Sequence, residues 1–477
     1  MKTIIAKQTA KLEASVRWAL ASLSLTMLLS SLGTSIANVA LPNLVQVFNA
    51  SFQAVQWVVL AYLLTVTSLI VSIGRLGDLF GRRRVMLAGI AVFTLASVLC
   101  SSATSLGLLI TARLLQGLGA AAMMSLTMAF ISETVPKEKT GSAMGLLGTM
   151  SAIGTALGPS LGGLLIAILG WRSIFFINLP LGLLAMLLAW RYLPRDRQPS
   201  TNHNGFNHRR FDHLGTLLLA ATLTTYALAV TLGRGNFSQL NLLLLLLATL
   251  GAGLFVLAES KAASPLIRLA IFRDPLLRAG FATSTLVATV IMATLVVGPF
   301  YLSGALALEP VQIGLVMSAG PIISALTGVP AGRLVDRFGA QRLSTIGLLA
   351  MLSGTIILSL LPTSFGIPGY ITPLVIATFG YALFQAANNT GVMANAQAEQ
   401  RGAISGMLNL SRNLGLITGA SVMGAVFAFA STGTTIFLSH KNAVARGMHV
   451  TFTLAAALIF IAIVIVLFSQ KKSSSKK

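Results

Sequence analysis

The sequence predicts an all-α polytopic membrane protein built from two related halves, and two observations carry this prediction. The 477 residues have a mean hydropathy of +0.85 and only 9% charged side chains, whereas a soluble protein has about a quarter. A glycine-flanked charged segment occurs twice, as GRLGDLFGRRR at 74–84 and GRLVDRFGAQR at 332–342, each time between long apolar runs. An internal repeat of this kind is typical of membrane proteins assembled from structural repeats, an architecture of secondary transporters.

Fourteen apolar segments are each long enough to cross the hydrocarbon core, which takes about 20 helical residues. The segments are 18–38, 53–74, 84–102, 106–130, 141–166, 171–192, 213–233, 239–259, 277–303, 309–331, 341–361, 370–394, 403–430 and 448–469. Because the repeated segment then follows spans 2 and 10, spans 1–6 and 9–14 form two pseudo-symmetric six-helix bundles, and spans 7 and 8 are an inserted pair. We therefore expect a bundle at 1–193, a cytoplasmic linker at 194–212, the inserted pair with its loop at 213–275, a bundle at 276–470 and a basic cytoplasmic tail at 471–477.

The basic residues are distributed unequally between the two sides of this arrangement. Twenty-seven lysines and arginines fall at the termini or in the gaps on one side and four in the gaps on the other, while Arg113 and Arg412 fall inside spans. Since basic loops stay in the cytoplasm, the sequence predicts a multi-pass protein of the plasma (inner) membrane with both termini cytoplasmic. The net charge of +22 is explained by anionic lipid headgroups rather than by nucleic acid, which needs a continuous basic surface.

The residue inventory also excludes several kinds of site. Cys100 is the only cysteine, so neither an intramolecular disulfide nor a cysteine metal cluster can form. His203, His208 and His213 lie in the polar linker without helical spacing, which favours a solvated loop over a metal site. We expect no metal, no cofactor and no enzyme activity, and no phosphate-binding loop of the GxxxxGK[ST] type is present.

Four further motifs lie at the expected spans. They are SIANVALPNL at 35–44, ARLLQGLGAA at 112–121, GTALGPSLGG at 154–163 and WRSIFFINLPLG at 171–182. With the repeated segment, and in this order, they make the whole chain resemble the major facilitator superfamily, specifically its 14-spanner drug:proton antiporter family of multidrug efflux type. The resemblance implies the major facilitator fold, alternating access, and a small-molecule substrate bound between the two halves.

The resemblance assigns a gating role to the repeated segment. Glycines there permit a tight turn, Asp78 can face a helix N-terminus, where the dipole favours a negative charge, and Arg75 can pair with Asp78. The alternative is that the arginines only anchor the topology. The gating candidates are Gly74, Arg75, Asp78, Gly81, Arg84 and Asp336.

Arg113 is the candidate for coupling, together with Gln116 one turn later. A charge inside a span is costly and is normally functional or paired. The resemblance implies that Arg113 takes part in proton transfer or sets the field of the cavity, whereas the structural alternative is a bond to backbone carbonyls. The fifth span carries the antiporter motif, Gly154, Gly158, Pro159, Gly162 and Gly163, whose glycine spacing also suits close helix packing alone.

One departure from the family concerns the first span. The family usually has an aspartate where this chain has Gly33, and no acidic residue lies at mid-span. A cavity with arginine and no carboxylate has a positive field, which favours anionic, zwitterionic or neutral amphiphiles over dications. An aspartate introduced at Gly33 is therefore expected to add a carboxylate to the cavity. The cavity candidates are Asn38, Trp57, Tyr62, Tyr226, Gln385, Asn388, Asn389 and Arg412, and a structural role for Arg412 stays open.

These features predict a proton-coupled exporter of small amphipathic compounds, acting as a monomer in the bilayer, alone or with other efflux components. One alternative is a lipid or metabolite transporter, for an organic or amino acid, not necessarily coupled to protons. The other is a membrane sensor that keeps the fold without transport, against which the intact motifs in both halves argue.

Overall fold

A computed structural model describes residues 2–134, 140–194, 196, 212–232, 238–262, 265, 272–394, 401–431 and 440–474. Within these ranges the regular secondary structure is helical and no strand is present. The first helices are α1 (Lys2–Val47), α2 (Phe52–Phe80), α3 (Arg82–Ser101), α4 (Leu106–Thr134), α5 (Thr140–Leu169), α6 (Ser173–Phe176), α7 (Asn178–Tyr192), α8 (His213–Thr231) and α9 (Gln239–Lys261). The others are α10 (Pro275–Gly304), α11 (Pro310–Phe338), α12 (Ala340–Leu360), α13 (Gly366–Ala394), α14 (Arg401–Thr418), a π-helical segment (Gly419–Met423), α15 (Gly424–Ser431) and α16 (His440–Ser474).

Each of the fourteen predicted spans corresponds to a helix or to consecutive helices. Thirteen are long and apolar enough to cross a membrane by length and composition, and α5 adds a shorter apolar stretch at Ile153–Leu169. Helices α6 and α7 together form the sixth span, while α14, the π-helical segment and α15 form the thirteenth. The predicted all-α polytopic fold is confirmed.

The repeated segment is more helical than the sequence suggested. Helix α2 continues through Gly74 to Phe80 and α11 continues to Phe338, so a single glycine separates each from the next helix. Gly81 has a φ of +97° and Gly339 a φ of +86°, a region that only glycine adopts readily. The charged positions therefore lie on the last turns of α2 and α11 and on the first turns of α3 and α12 rather than in a loop.

Small residues set how closely the helices pack. Gly119 of α4 lies against the backbone of Gly89 in α3, and Gly380 of α13 lies against that of Gly347 in α12. A Cβ at any of these positions would overlap the neighbouring helix, and such contacts bring membrane helices together at short range. Along the chain, α3 and α4 precede the inserted helices α8 and α9, and α12 and α13 follow them at the corresponding positions of the second half.

Four names are used from here on. The N group is α1–α7 and the C group is α10–α16, each with extensive contacts among its own helices. The inserted pair is α8 and α9, which pack on each other, and α8 also packs on α2. The basic end carries Gly81 and Gly339, and the distal end is the opposite one, where α1 joins α2 and α10 joins α11.

Candidate functional site

The N-terminus of α3, at the basic end, holds a carboxylate. The backbone amides of Arg83 and Arg84 donate to the two carboxylate oxygens of Asp196, at 2.8 and 3.2 Å, and the same carboxylate packs against Gly81. The Arg83 side chain donates to the backbone carbonyl of Trp190. These contacts satisfy amides that a helix start leaves unpaired and place a negative charge at the positive end of the helix dipole.

Asp196 is a residue that the sequence reasoning did not select. The reasoning placed Asp78 at a helix N-terminus, but the side chains of Arg75 and Asp78 lie outside the described part of the structure. Asp336, in the second copy, is exposed at the basic end of α11. The available signal for Asp196 was its position directly after the sixth span, in LPRDR.

Arg113 is fully buried inside the N group. Its Nε donates to the Val58 carbonyl at 2.8 Å, Nη1 to Gln116 Oε1 at 2.5 Å and Nη2 to the Gly33 carbonyl at 3.0 Å. Its guanidinium carbon lies 4.3 Å from the centre of the Tyr62 ring, a cation–π distance. The charge is thus distributed over three neutral acceptors and an aromatic face.

The helices around Arg113 extend this network. Gln116 Nε2 donates to Ser97 Oγ at 2.7 Å, and the Tyr62 hydroxyl donates to the Ser30 carbonyl at 2.7 Å. Both Tyr62 and Gln116 are fully buried. Gln116, the second coupling candidate, thus bonds Arg113 directly, and the backbone contacts of the structural alternative are present as well.

Gly33 does not face a cavity between the two groups. A Cβ at this position would meet the Tyr62 hydroxyl at 3.1 Å and Phe93 Cε2 at 3.4 Å, so a side chain here would enter the interior of the N group. The expectation that an acid at this position would add a carboxylate to the cavity is therefore wrong. The physical reason is the rotation of α1, which directs Gly33 toward α2 and α3.

The glycines of the fifth-span motif contact two different partners. Gly154, Gly158 and Gly162 lie against α1, whereas Gly163 lies against the Pro310 carbonyl and Gly314 of α11. Pro159, between them, contributes the carbonyl that lies closest to Gly314. Three glycines thus pack within the N group, and the fourth brings the N group and the C group together at the distal end.

Further contacts join the two groups at the distal end. Gln56 of α2 donates through Nε2 to the Ala420 carbonyl in the π-helical segment at 2.9 Å. The ring centroid of Phe52 lies 4.5 Å from that of Phe300 and 5.6 Å from that of Phe427. We call these contacts, with the Gly163–Gly314 approach, the distal seal. π-Helical turns occur frequently at functional sites, and this one contributes an acceptor to the seal.

A small cleft of about 60 Å³ lies at mid-depth, directly below the distal seal. Helix α5 contributes Thr155, and the remaining wall comes from α10, α11 and α13 of the C group. The lining combines hydroxyl and apolar side chains, without a charged residue: Thr155, Ile291, Thr294, Leu295, Met317, Gly320, Pro321, Ser324, Leu374, Thr378 and Tyr381. We call it the central cleft, and the sequence reasoning selected none of these residues.

The predicted cavity residues do not meet in one place. Gln385 is half-buried on α13, one turn from Tyr381 and toward the basic end, on the face that lines the central cleft. Asn388 donates to the Gly280 carbonyl at 3.2 Å and Asn389 is exposed. Arg412 is half-buried, and its Nε has no hydrogen-bond partner among the described residues.

The others lie within or beside the N group. Asn38 is buried and donates to the carbonyls of Thr34 and Ser35. Trp57 Nε1 donates to Thr231 Oγ1 at 3.1 Å, and the Tyr226 hydroxyl donates to Thr418 Oγ1 at 3.3 Å. Trp57 and Tyr226 therefore contact the inserted pair or belong to it, because α8 runs beside both groups.

Comparison with known proteins gives a consistent result. The sequence model of the Major Facilitator Superfamily matches residues 23–420. The chain is 31% identical over 445 residues to the riboflavin transporter RibZ of Clostridioides difficile, covering 93% of this chain and 95% of that protein. It is 34% identical over 396 residues to the multidrug resistance protein Stp of Mycobacterium tuberculosis, covering 82% and 72% of the two chains. A bacterial homologue of the lysosomal transporter Spinster, solved in an inward-facing occupied conformation, superimposes with a TM-score of 0.70 at 15% identity, covering 95% of this chain and 97% of that one.

Proposed function

The chain belongs to the Major Facilitator Superfamily and is a membrane transporter, and from this premise we propose that it is a proton-coupled exporter of small amphipathic compounds. The observation that carries the proposal is the central cleft, which is lined by five hydroxyl-bearing side chains and six others at mid-depth between α5 and the C group. Its volume of about 60 Å³ is below the roughly 300–1,000 Å³ of a small-molecule pocket, so we propose that substrate enters when the two groups separate. The hydroxyls of Thr155, Thr294 and Thr378 donate to carbonyls of their own helices. Ser324 and Tyr381 are therefore the side chains that we propose to orient the polar part of a ligand, while the apolar wall binds the remainder. No carboxylate lines the cleft, so nothing there compensates the charge of a dication.

Alternating access follows from the distribution of contacts. The distal seal holds the two groups together through a glycine–glycine approach, one amide–carbonyl bond and an aromatic cluster. Helix α5 packs closely on α11, and α1 and α2 also contact the C group. We propose that these contacts are exchanged for a second set at the basic end while each group moves as a rigid body. We propose that export requires opening the distal seal, because the seal separates the central cleft from the distal end.

The direction of transport depends on the topology. We propose that the basic end is cytoplasmic and that both termini lie there, since the basic residues concentrate on that side. The protein then acts as a monomer in the plasma (inner) membrane and releases substrate at the distal end. Arg113 remains the proposed coupling residue, and it acts from within the N group by fixing the contacts among α1, α2 and α4.

A second candidate is transport of a metabolite, and one observation favours it. RibZ, named a riboflavin transporter, is similar over 93% of this chain, whereas Stp, named a multidrug resistance protein, is similar over 82%. A neutral heteroaromatic compound with hydroxyl groups would need a central cleft larger than its present volume of about 60 Å³, and it would then have the hydroxyls of Ser324 and Tyr381 as polar partners.

Transport into inside-out vesicles, with and without a pH gradient, tests both candidates. The probes are a neutral, an anionic and a dicationic dye, together with riboflavin. We expect uptake of the neutral and anionic dyes that stops when an ionophore collapses the gradient. Best uptake of the dicationic dye would contradict the cleft argument, flux independent of the gradient would contradict proton coupling, and uptake of riboflavin alone would favour the second candidate.

A matched pair of variants connects the activity to the cleft. Thr378 lines the cleft and Thr372 is exposed on the same helix, and both hydroxyls bond their own helix backbone. Thr378→Val should change the relative uptake of the dyes, while Thr372→Val should not. Equal behaviour of the two variants would place substrate outside the central cleft.

A further inference from the structure

A second cavity, of about 550 Å³, lies between the inserted pair and the C group. Its walls come from α8 and α9 on one side and from α10 and α14 on the other. The wall residues of α8 run from Leu219 to Tyr226 and those of α9 from Leu245 to Phe255, which is the middle of each helix. The cavity is therefore at mid-depth, like the central cleft, and we call it the side cavity.

The wall of the side cavity is predominantly apolar. The lining residues that the structure describes include none that is charged, and the hydroxyls of Thr249, Thr285 and Thr418 donate to backbone carbonyls at 2.9 to 3.1 Å. Two further hydroxyls belong to the lining: that of Tyr226 donates to Thr418 Oγ1, and that of Thr222 has no hydrogen-bond partner among the described residues. Seven apolar side chains complete the wall: Leu219, Leu223, Leu245, Ala248, Ala252, Phe255 and Leu414. A buried water needs two to four polar partners, and most of this wall offers none.

The side cavity reaches the surface of the protein that faces the bilayer. Thr249 and Ala252 both line it and are exposed on α9, and the outer face of α9 is a row of exposed leucines. A dry apolar cavity of only about 150 Å³ already binds small hydrocarbons. A larger one that is open to lipid will be filled by hydrocarbon from the bilayer, because its walls otherwise lack partners for dispersion contacts.

Charge at the rim identifies the kind of lipid. Lys261 ends α9 and Arg278 lies in the first turn of α10, so two of the four helices that bound the side cavity carry an exposed cation at the basic end. A phosphate at the headgroup level is attracted to such cations. We propose that the side cavity binds one acyl chain of an anionic glycerophospholipid from the leaflet at the basic end, with its phosphate near Lys261 and Arg278.

The bound acyl chain fills the space between the inserted pair and the C group. We call this space the seam, and the inserted pair is bonded more strongly to the N group than to the C group across it. Helix α8 is joined to α2 near both ends, by Ser72 to Thr216 at 2.5 Å and by Trp57 to Thr231 at 3.1 Å. Its hydrogen bond to the C group, from Tyr226 to Thr418, is longer, at 3.3 Å. The inserted pair therefore stays with the N group when the C group moves, and a fluid acyl chain maintains contact across the seam.

Photolabelling in proteoliposomes tests the site. The probe is phosphatidylglycerol with a diazirine in the middle of one acyl chain, and mass spectrometry locates the adducts. We expect adducts on the inner wall of the side cavity, at Thr285, Leu414 and Thr418, in addition to those on the outer face of α9. A wild-type protein without inner-wall adducts would overturn the proposal.

Two variants of α9 add the same ring at different places. Ala248 is buried and lines the side cavity, whereas Leu246 is exposed to lipid and does not. Ala248→Phe should lower the inner-wall labelling by about fivefold or more, while Leu246→Phe should leave it unchanged. Equal labelling in both variants would contradict the assignment.

Competition experiments identify the ligand. Unlabelled phosphatidylglycerol should remove the inner-wall adducts, and unlabelled phosphatidylcholine should do so less well because it lacks the net negative charge. A free fatty acid diazirine that labels where the phospholipid does not, or displacement of the label by a transported dye at its working concentration, would overturn the phospholipid proposal.

Discussion

The guanidinium of Arg113 donates through Nη2 to the backbone carbonyl of Gly33 across 3.0 Å. The family usually has an aspartate at this position of the first span, yet here the arginine finds a main-chain oxygen, a second carbonyl from Val58 and the amide oxygen of Gln116. A buried charge needs such partners. The contact therefore explains how the chain holds a fully buried arginine without an acidic residue beside it.

Replacing Arg113 by alanine should abolish export and lower the midpoint of thermal unfolding. The change removes three hydrogen bonds of the guanidinium and leaves Gln116 Oε1 without its donor, which costs about 1–3 kcal/mol if that acceptor stays unsatisfied, while the Gly33 and Val58 carbonyls keep their helical hydrogen bonds. Gln116→Ala is the matched variant, because it removes one acceptor and keeps the guanidinium with its two carbonyls. We expect it to reduce stability less and to retain part of the export, measured in vesicles and by differential scanning fluorimetry. A folded Arg113→Ala protein that exports like the wild type would end the coupling proposal.

Gly33→Asp should not extend transport to dicationic dyes. The new carboxylate would enter the N group beside Tyr62 and Arg113, so it would pair with the arginine and leave the charge of the central cleft unchanged. Gly33→Ala separates the steric contact with Tyr62 from the charge. We expect the ratio of dicationic to neutral dye uptake to stay within about twofold of wild type in both variants. A large gain for the dicationic dye in the aspartate variant alone would show that position 33 reaches the substrate.

Gly163→Val should favour the distal-open state, because its side chain would overlap Pro310 and Gly314 across the distal seal. Cys100 is buried, so we expect it not to react with a thiol reagent. A cysteine introduced at Phe52 then reports how accessible this position is to the reagent. We expect thiol labelling from the distal side to accelerate by about tenfold. Gly162 lies on the same helix but packs against α1, so Gly162→Val should lower stability without accelerating the labelling. Similar labelling of both variants would contradict the assignment of Gly162 to α1 and of Gly163 to α11.

Asp196→Asn should loosen the start of α3. The carboxylate accepts from Arg83 and Arg84, and loss of its charge at a helix N-terminus costs about 0.3–1 kcal/mol. Amide hydrogen exchange at Arg83 and Arg84 should accelerate, and transport should fall if this turn supports gating. Asp212→Asn is the control, since Asp212 caps α8 through the Gly215 amide at 2.7 Å. Exchange at Arg83 that is the same as in wild type would show that Asp196 does not secure the turn.

A topology reporter fused at His440 should show that this residue lies on the distal side of the membrane. His440 begins α16, and the distribution of basic residues predicts that this end lies outside the cytoplasm. A fusion after Lys477 is the control and should report the cytoplasm. Activity of both fusions on the same side would contradict the fourteen-span topology.

The sequence alone determined the number of spans and the class of protein. Apolar length sets where a helix can cross a bilayer, and motif order along the chain identified the superfamily that the comparisons then showed. It also identified Arg113 and the glycines of the fifth span as unusual. Each of these inferences depends on local composition or spacing, which sequence contains directly.

Only the tertiary structure decided which residues meet. Helix rotation directs Gly33 into the N group, assigns Gly162 to α1 but Gly163 to α11, and brings Asp196 to Gly81 from more than one hundred residues away. It also forms the central cleft, where Thr155 of the fifth-span motif meets residues of α10, α11 and α13 that belong to none of the quoted motifs. In a chain whose spans are apolar on most sides, hydropathy does not specify helix rotation, because lipid and protein interior are equally apolar. Rotation is set by close packing of small residues against particular neighbours, and those neighbours exist only in the folded protein.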